Sequence, residues 1–104
     1  MPKAKTKEEL REEFLNSVRG IVQYWLDAPD MDEQGRCEGV AFSMLTMLDG
    51  GSGTFPCSID LVARPHPDDK GFNIKEGNDY IEDGTVINED VLLHEMIFLN
   101  PISK

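Results

Sequence analysis

The chain lacks the long apolar runs and the paired cysteines that mark membrane and secreted proteins. No apolar stretch approaches the roughly 18 residues that a transmembrane helix needs. Its two cysteines, Cys37 and Cys57, form no Cys-x-x-Cys motif, so we expect two small core residues in a reducing compartment. The polar start, residues 1–11, predicts no secretory signal. Together these absences predict a cytoplasmic protein.

Basic residues are also scarce. The chain has 10 Lys and Arg against 20 Asp and Glu, a formal net charge of -10. Residues 1–25 are close to neutral, whereas residues 26–104 hold five bases and sixteen acids, a net charge of -11. Such a surface repels phosphate and anionic lipid, which predicts neither nucleic-acid nor membrane binding. The excess acid favours a basic protein partner, or it serves solubility alone.

The N-terminal half predicts two helices in an antiparallel hairpin. Thr6 and Glu9 form a capping box that starts the first helix, and Ala28-Pro29 ends it. Asp30 and Glu33 repeat the capping pattern for the second helix, which runs to the glycine-rich loop 49–53. The first helix carries one apolar stripe: Leu10, Phe14, Leu15, Val18, Ile21, Val22, Trp25 and Leu26.

The second helix is apolar around most of its girth. Its apolar residues are Cys37, Val40, Ala41, Met44, Leu45 and Leu48, widened by Phe42 and Met47. A helix of this kind lies at the centre of a core or at a subunit interface, which favours a homodimer.

After Pro56 the apolar period changes to two. Cys57, Ile59, Leu61 and Ala63 alternate with polar or exposed positions and predict a strand with one buried face. Phe72–Ile74 and Tyr80-Ile81 predict two shorter strands. Residues 91–99 fit a helix capped by Asn88-Glu89-Asp90, with a strand as the alternative. The fold class predicted is α+β: an N-terminal antiparallel helical hairpin, a small antiparallel sheet and a C-terminal helix. One domain over 1–104 is expected, with residues 1–5 as a flexible tail.

The run Pro65-His66-Pro67-Asp68-Asp69 is the candidate for chemistry. It resembles the His-Pro-Asp-Asp-Glu motif of the zinc-dependent N-acetylglucosaminyl deacetylases, with Lys70 in place of the glutamate. The resemblance implies His66 and Asp69 as zinc ligands and Asp68 as the catalytic base, with His94 as the candidate third ligand. Without zinc, the run is a proline-stiffened turn in which Asp68 or Asp69 accepts from backbone N–H groups.

A broader pattern joins Cys37-Glu38-Gly39-Val40-Ala41-Phe42-Ser43, Leu48-Asp49-Gly50, Pro65-His66-Pro67-x-Asp69 and Leu93-His94-Glu95. It resembles a set of small bacterial proteins of unassigned function. The resemblance implies that His66, Asp69, His94 and Glu95 belong to one small domain in which they converge. Considered alone, His94 is expected at the edge of a core, bonded to a carboxylate or a carbonyl.

These observations favour a small acidic protein that acts by protein–protein contact and is not an enzyme. An immunity- or inhibitor-like protein that neutralises a basic toxin or nuclease is one form of this hypothesis. The alternative is a metal-dependent hydrolase that uses the His66-Pro67-Asp68-Asp69 turn and zinc. A structural or assembly accessory protein is a third reading that the sequence does not separate from the first.

Overall fold

The computed structural model describes residues 1–98, and 48% of them are helical. The residues divide into two compact units, one formed by 1–58 with 92–98 and the other by 59–91. The single domain over 1–104 stays a prediction. Within the described range, no helix is long and apolar enough to cross a membrane. The helices are α1 (Lys7–Leu26), α2 (Glu33–Leu48), α3 (Asp69–Lys75) and α4 (Leu93–Met96).

Helix α1 begins where its capping box predicts. The Glu9 N–H donates to Thr6 Oγ1 and the Thr6 N–H donates to Glu9 Oε1, each at 3.1 Å. Two backbone donors that the helix cannot satisfy internally are therefore bonded at its first turn. The prediction of this helix from Thr6 and Glu9 is confirmed.

Helix α2 begins two residues later than its sequence pattern suggests. Asp32, not Asp30, is the cap, and its Oδ1 accepts from the Gly35 N–H at 2.7 Å. Asp30 has a φ of 55°, in the left-handed region, and so belongs to the turn before the helix. The predicted helix is present with a corrected start.

Trp25 and Gly39 form the contact that fixes α1 against α2. A Cβ on Gly39 would lie 2.6 Å from Trp25 Cε3 and closer still to two other ring carbons. Trp25 Nε1 donates to Ser43 Oγ at 2.9 Å. Arg36 donates to the carbonyl oxygens of Trp25 and Ala28, at 3.1 and 3.0 Å. The indole therefore lies directly on the backbone of α2, and Arg36 satisfies carbonyl groups at the end of α1.

The first unit has a small core. Met47 is 0% exposed, and Phe55 is 6% exposed and contacts Phe14 edge to face, with ring centroids 5.8 Å apart. Ser17, also buried, donates to the Thr54 carbonyl oxygen at 3.4 Å. This core joins α1 to the loop that follows α2.

The prediction that the cysteines are core residues is wrong, because Cys37 and Cys57 are both exposed thiols. Cys37 lies two residues from the buried Gly39, and two residues turn a helix by about 200°. It therefore lies on the opposite face of α2. Cys57 lies in the segment after the core residue Phe55.

The predicted α+β fold with a small antiparallel sheet is also wrong, because residues 1–98 contain no sheet. One antiparallel bridge joins Val62 to Val86. On either side of it, the Ala63 N–H donates to the Thr85 carbonyl oxygen and the Ile87 N–H donates to the Leu61 carbonyl oxygen, both at 2.8 Å. The predicted alternation is present from residue 58 onward: Ile59, Leu61 and Ala63 are half-buried, and Ser58, Asp60, Val62 and Arg64 are exposed. Cys57, predicted on the buried face, is exposed. The pairing is too short to form a ladder.

The second predicted strand is a helix. Phe72–Ile74 lies within α3, where the Phe72 N–H donates to the Asp68 carbonyl and the Glu76 N–H donates to that of Phe72. Phe72 and Ile74 are 61% and 55% exposed, so no buried face holds them in an extended chain. Tyr80-Ile81 is not a strand either.

The C-terminal helix is present but shorter than predicted. It begins at Leu93, because Asn88 bonds the backbone of 59–61 and Asp90 has a left-handed φ of 59°. Neither residue therefore caps a helix. The end of the predicted element, Leu99, lies outside the described residues.

We predict opposite effects for alanine at the two glycines of the helical pair. Gly39→Ala should lower the free energy of unfolding by about 1–3 kcal/mol, because the new methyl group overlaps the Trp25 ring. Gly20→Ala should raise it by about 0.5–1 kcal/mol, because nothing lies within 4 Å of that position and alanine favours a helix. Urea unfolding followed by far-ultraviolet circular dichroism measures both, and equal effects would contradict the assignment of the close contact.

Candidate functional site

The His66-Pro67-Asp68-Asp69 run is a turn that leads into α3. The His66 ring is the acceptor, because the Asp68 N–H donates to His66 Nδ1 at 3.1 Å and the Asp69 N–H donates to the His66 carbonyl at 3.0 Å. Asp68 caps α3 without a side-chain hydrogen bond. The predicted turn is therefore present, but the imidazole of His66 takes the role expected of an aspartate. The His66 and Asp68 side chains are 67% and 91% exposed.

The zinc ligands inferred from this run stay a prediction. Over residues 1–98, no three His, Cys, Asp or Glu side chains are grouped to hold a metal ion. His66, Asp68 and Asp69 belong to the unit 59–91, and His94 belongs to the other unit.

The carboxylate of Asp49 binds His94 through two groups. Asp49 Oδ2 accepts from the His94 N–H at 2.9 Å and lies 2.7 Å from His94 Nδ1. The Asp49 side chain is 1% exposed and that of His94 is 23% exposed. The prediction that His94 lies at a core edge beside a carboxylate is confirmed. Leu92, the residue at the cap of α4, has no side-chain acceptor, so Asp49 supplies one from another helix.

Asp49 is ionised at neutral pH. Burial raises its pKa, but hydrogen bonds from the His94 backbone N–H and ring outweigh burial, and the pKa is lowered overall. Because the ionised carboxylate can only accept, His94 Nδ1 carries the hydrogen and donates to Asp49 Oδ2, so the lone pair of a neutral His94 ring is on Nε2. Asp49 Oδ1 is buried and has no hydrogen-bond partner among the described residues.

Phe42 of α2 also contacts the His94 ring. Its ring meets His94 edge to face at 5.5 Å and stacks with Phe98 at 6.4 Å. A carboxylate and an aromatic ring thus fix the orientation of the imidazole, as in many sites where histidine acts as a base or ligand. In this chain the contacts show a structural role, since they attach residues 92–98 to α2.

Asp49 was not identified from the sequence, where it reads as the start of a glycine-rich loop. The available signal is an acid at the end of α2, where the helix dipole disfavours negative charge. That signal is not specific, because Asp27 ends α1 in the same way and accepts only a local hydrogen bond from Gln23.

The second unit, residues 59–91, which we call the acidic unit, presents a charged and apolar surface. It contains nine acids and three bases, a net charge of -6, and none of its residues is buried. Its exposed large apolar side chains are Val62, Phe72, Ile74, Tyr80, Ile81, Ile87 and Val91.

Two of the three bases of the acidic unit already pair within it. Lys70 Nζ lies 3.0 and 3.2 Å from the carboxylate oxygens of Glu82 and 5.1 Å from the centre of the Tyr80 ring. Hydrogen bonding to Glu82 raises the pKa of Lys70. Arg64 lies 3.5 Å from Asp83. The charge left over on this surface is therefore strongly negative.

Asn88 organises the backbone of the acidic unit. Its Nδ2 donates to the Ile59 carbonyl and its Oδ1 accepts from the Leu61 N–H, both at 2.9 Å. The sequence suggested a helix cap at this position. The amide instead joins the two ends of the unit, as a strand partner would.

No protein-family model, curated protein or solved structure matches the chain. The residues themselves therefore carry the functional argument. They offer one oriented imidazole whose contacts are structural, and one acidic surface with many apolar side chains in water.

We predict that Asp49→Ala releases α4 while Asp27→Ala does not. Removing Asp49 deletes the charged acceptor of two His94 groups, a loss of about 1.5–3 kcal/mol in local stability. The matched aspartate Asp27 also ends a helix but is exposed, so its loss should cost less than about 0.5 kcal/mol. Hydrogen exchange of the His94 amide by NMR should accelerate in Asp49→Ala alone. Unchanged exchange there would contradict the capping role.

The same contact predicts an acid-labile attachment. Because folding lowers the pKa of Asp49 from its ordinary 3.8, its contribution is complete above that value and is lost as the pH falls through the lower folded value. The protection of the His94 amide in the wild type relative to Asp49→Ala should be constant from about pH 7 to pH 5 and decline below about pH 4. A difference that was already lost above about pH 5 would contradict a carboxylate whose pKa folding lowers.

Proposed function

We propose that the chain is a protein-binding protein whose acidic unit binds a basic surface of a partner protein. One observation carries the proposal: residues 59–91 combine a net charge of -6 with seven exposed large apolar side chains and no buried residue. No catalytic activity forms part of this proposal.

The apolar side chains of the acidic unit supply the affinity. A unit of this size is below the roughly 40 residues that usually fold alone without a metal, a disulfide or a partner. Phe72 and Ile81 are 61% and 63% exposed, and burial is worth roughly 1.5–3 kcal/mol for each such side chain. Covering this surface with a partner therefore gives a driving force that the unit does not obtain internally.

The charge of the acidic unit selects the kind of partner. A second copy would bring another net charge of -6 against the first, and nucleic acid would bring phosphates, so both are repelled. A basic protein is attracted and oriented instead, with association that slows as salt rises. The prediction of a homodimer through α2 concerns a different surface and is independent of this proposal.

One specific form of this proposal is that the chain inhibits a basic toxin or nuclease by binding it through the acidic unit. A cytoplasmic location is part of the same proposal. It is supported by Cys37 and Cys57, which are free thiols on the surface, because a reducing compartment keeps exposed thiols from forming disulfides.

We predict that Phe72→Ser weakens partner binding at least tenfold, whereas Leu26→Ser does not change it. The two side chains are equally exposed, 61% and 62%, but Leu26 lies on α1, outside the acidic unit. Proteins captured from an extract of the source cells would be identified, the most strongly enriched one purified whatever its charge, and its Kd measured by isothermal titration calorimetry. Hydrophobic anchors at the centre of an interface account for losses of this size.

Salt provides the second arm of this experiment. Raising ionic strength from 50 to 500 mM should weaken the purified complex at least tenfold, because the attraction is between exposed charges. A partner that is acidic, a Kd insensitive to salt, or equal losses in Phe72→Ser and Leu26→Ser would each overturn the proposal.

A further inference from the structure

A cleft of about 630 Å³ lies between α1 and α2 in the first unit. Tyr24 and Trp25 line it from α1, and Phe42 and Thr46 line it from α2. Its volume falls within the range of about 300–1,000 Å³ typical of sites for small organic ligands. The cleft lies apart from the acidic unit and plays no part in the proposed function.

Gly20 keeps the middle of this cleft open. A Cβ on Gly20 would have no atom within 4 Å, and its backbone is helical, so neither packing nor a positive φ requires glycine there. Gly39 is the contrast, since a Cβ there would overlap Trp25. A glycine inside a helix destabilises it by about 1 kcal/mol relative to alanine. What Gly20 provides is open space in the cleft, which a larger side chain at this position would fill.

The lining is aromatic at one end and acidic at the other. Tyr24 and Trp25 meet edge to face with centroids 5.2 Å apart, and Phe42 lies across from them on α2. Glu13 is the one Asp, Glu, Lys or Arg among the lining residues, all of which lie within 1–98. Tyr24 lies eleven positions after Glu13 in α1, which corresponds to about 16 Å along the helix.

An ammonium group already contacts the acidic end. Lys5 Nζ lies 2.7 Å from Glu13 Oε1, and the two side chains are 55% and 43% exposed. Because both partners are in water, this pair is weak and exchanges readily with another cation. Glu13 is therefore an acceptor that an incoming amine reaches by displacing Lys5.

We propose that the cleft binds an amphipathic organic cation, with its ammonium on Glu13 and its apolar body along Gly20 against Trp25 and Phe42. The aromatic side chains favour the apolar body of the ligand, and the carboxylate of Glu13 favours its positive charge. An organic anion is disfavoured, because the lining offers it a carboxylate and no base. An alkylammonium of about ten carbons has the length to join the two ends.

Trp25 makes the test direct, because it is the single tryptophan of the chain and lines the cleft. Decylammonium, decanoate and decanol would be titrated below micelle-forming concentrations while Trp25 fluorescence is recorded. Decylammonium should give a saturable change with one site per chain by calorimetry, and decanoate should bind at least tenfold more weakly.

Three variants assign the binding to the cleft. Gly20→Met fills the open space and should weaken decylammonium binding at least tenfold. Gly71→Met is the matched control, since Gly71 is also helical with nothing within 4 Å but lies on α3, and it should bind as the wild type does. Glu13→Gln should reduce the preference for decylammonium over decanol at least threefold. Because the Glu13 side chain is exposed, this variant should fold, and it tests the proposal even if Gly20→Met does not fold.

Several outcomes would overturn the proposal. Equal affinities for decanoate and decylammonium would do so. Several equivalent sites per chain would also do so, because a surfactant that coats an acidic surface binds in that way. Wild-type decylammonium binding by Gly20→Met, or a wild-type preference for decylammonium over decanol in Glu13→Gln, would do the same. Loss of partner binding in Phe72→Ser leaves this result unaffected, so the two proposals fail independently.

Discussion

The packing of Trp25 on Gly39 is the constraint on which the first unit depends. Because glycine lets the indole rest on the backbone of α2, Ser43 is within hydrogen-bond distance of Trp25 and Arg36 reaches the end of α1. This close approach also sets the two walls of the cleft. The end of α2 then presents Asp49 to α4, so the segment 92–98 is attached by one buried carboxylate together with the ring of Phe42. A side chain at Gly39 would overlap the Trp25 ring and so disturb the contacts of that ring with α2.

The two units differ in what stabilises them. The first has a small core in which Met47 and Phe55 are buried, whereas no residue of the acidic unit is buried. Backbone hydrogen bonds, the amide of Asn88 and exposed ion pairs hold the acidic unit instead. Such interactions contribute about 1 kcal/mol or less each. Burial of the apolar surface left in water is therefore the largest favourable free energy not yet realised in this unit, and the proposed partner binding rests on it.

Local patterns predicted local structure, and contacts distant in sequence were missed. The Thr6–Glu9 capping box is complete within four residues, so the start of α1 could be predicted. The run Phe72–Ile74 is too short to distinguish a strand from a helix, and no buried face decides between them. Asp49 and His94 are 45 positions apart, and neither has a neighbour that reveals the other. The alternation correctly predicted exposure over 58–64, although Cys57, assigned to the buried face, is exposed. It did not predict pairing, because a sheet also needs partner strands, and residues 1–98 pair in this way only at one bridge.

Hydrogen–deuterium exchange of the chain, free and bound to its purified partner, tests most directly whether the acidic unit is the binding surface. None of residues 59–91 is buried in the free chain, so their amides should exchange quickly there. On binding, protection should increase at least tenfold within 59–91, while α1 and α2 exchange as before. Protection confined to α1 and α2, with residues 59–91 unchanged, would contradict the account.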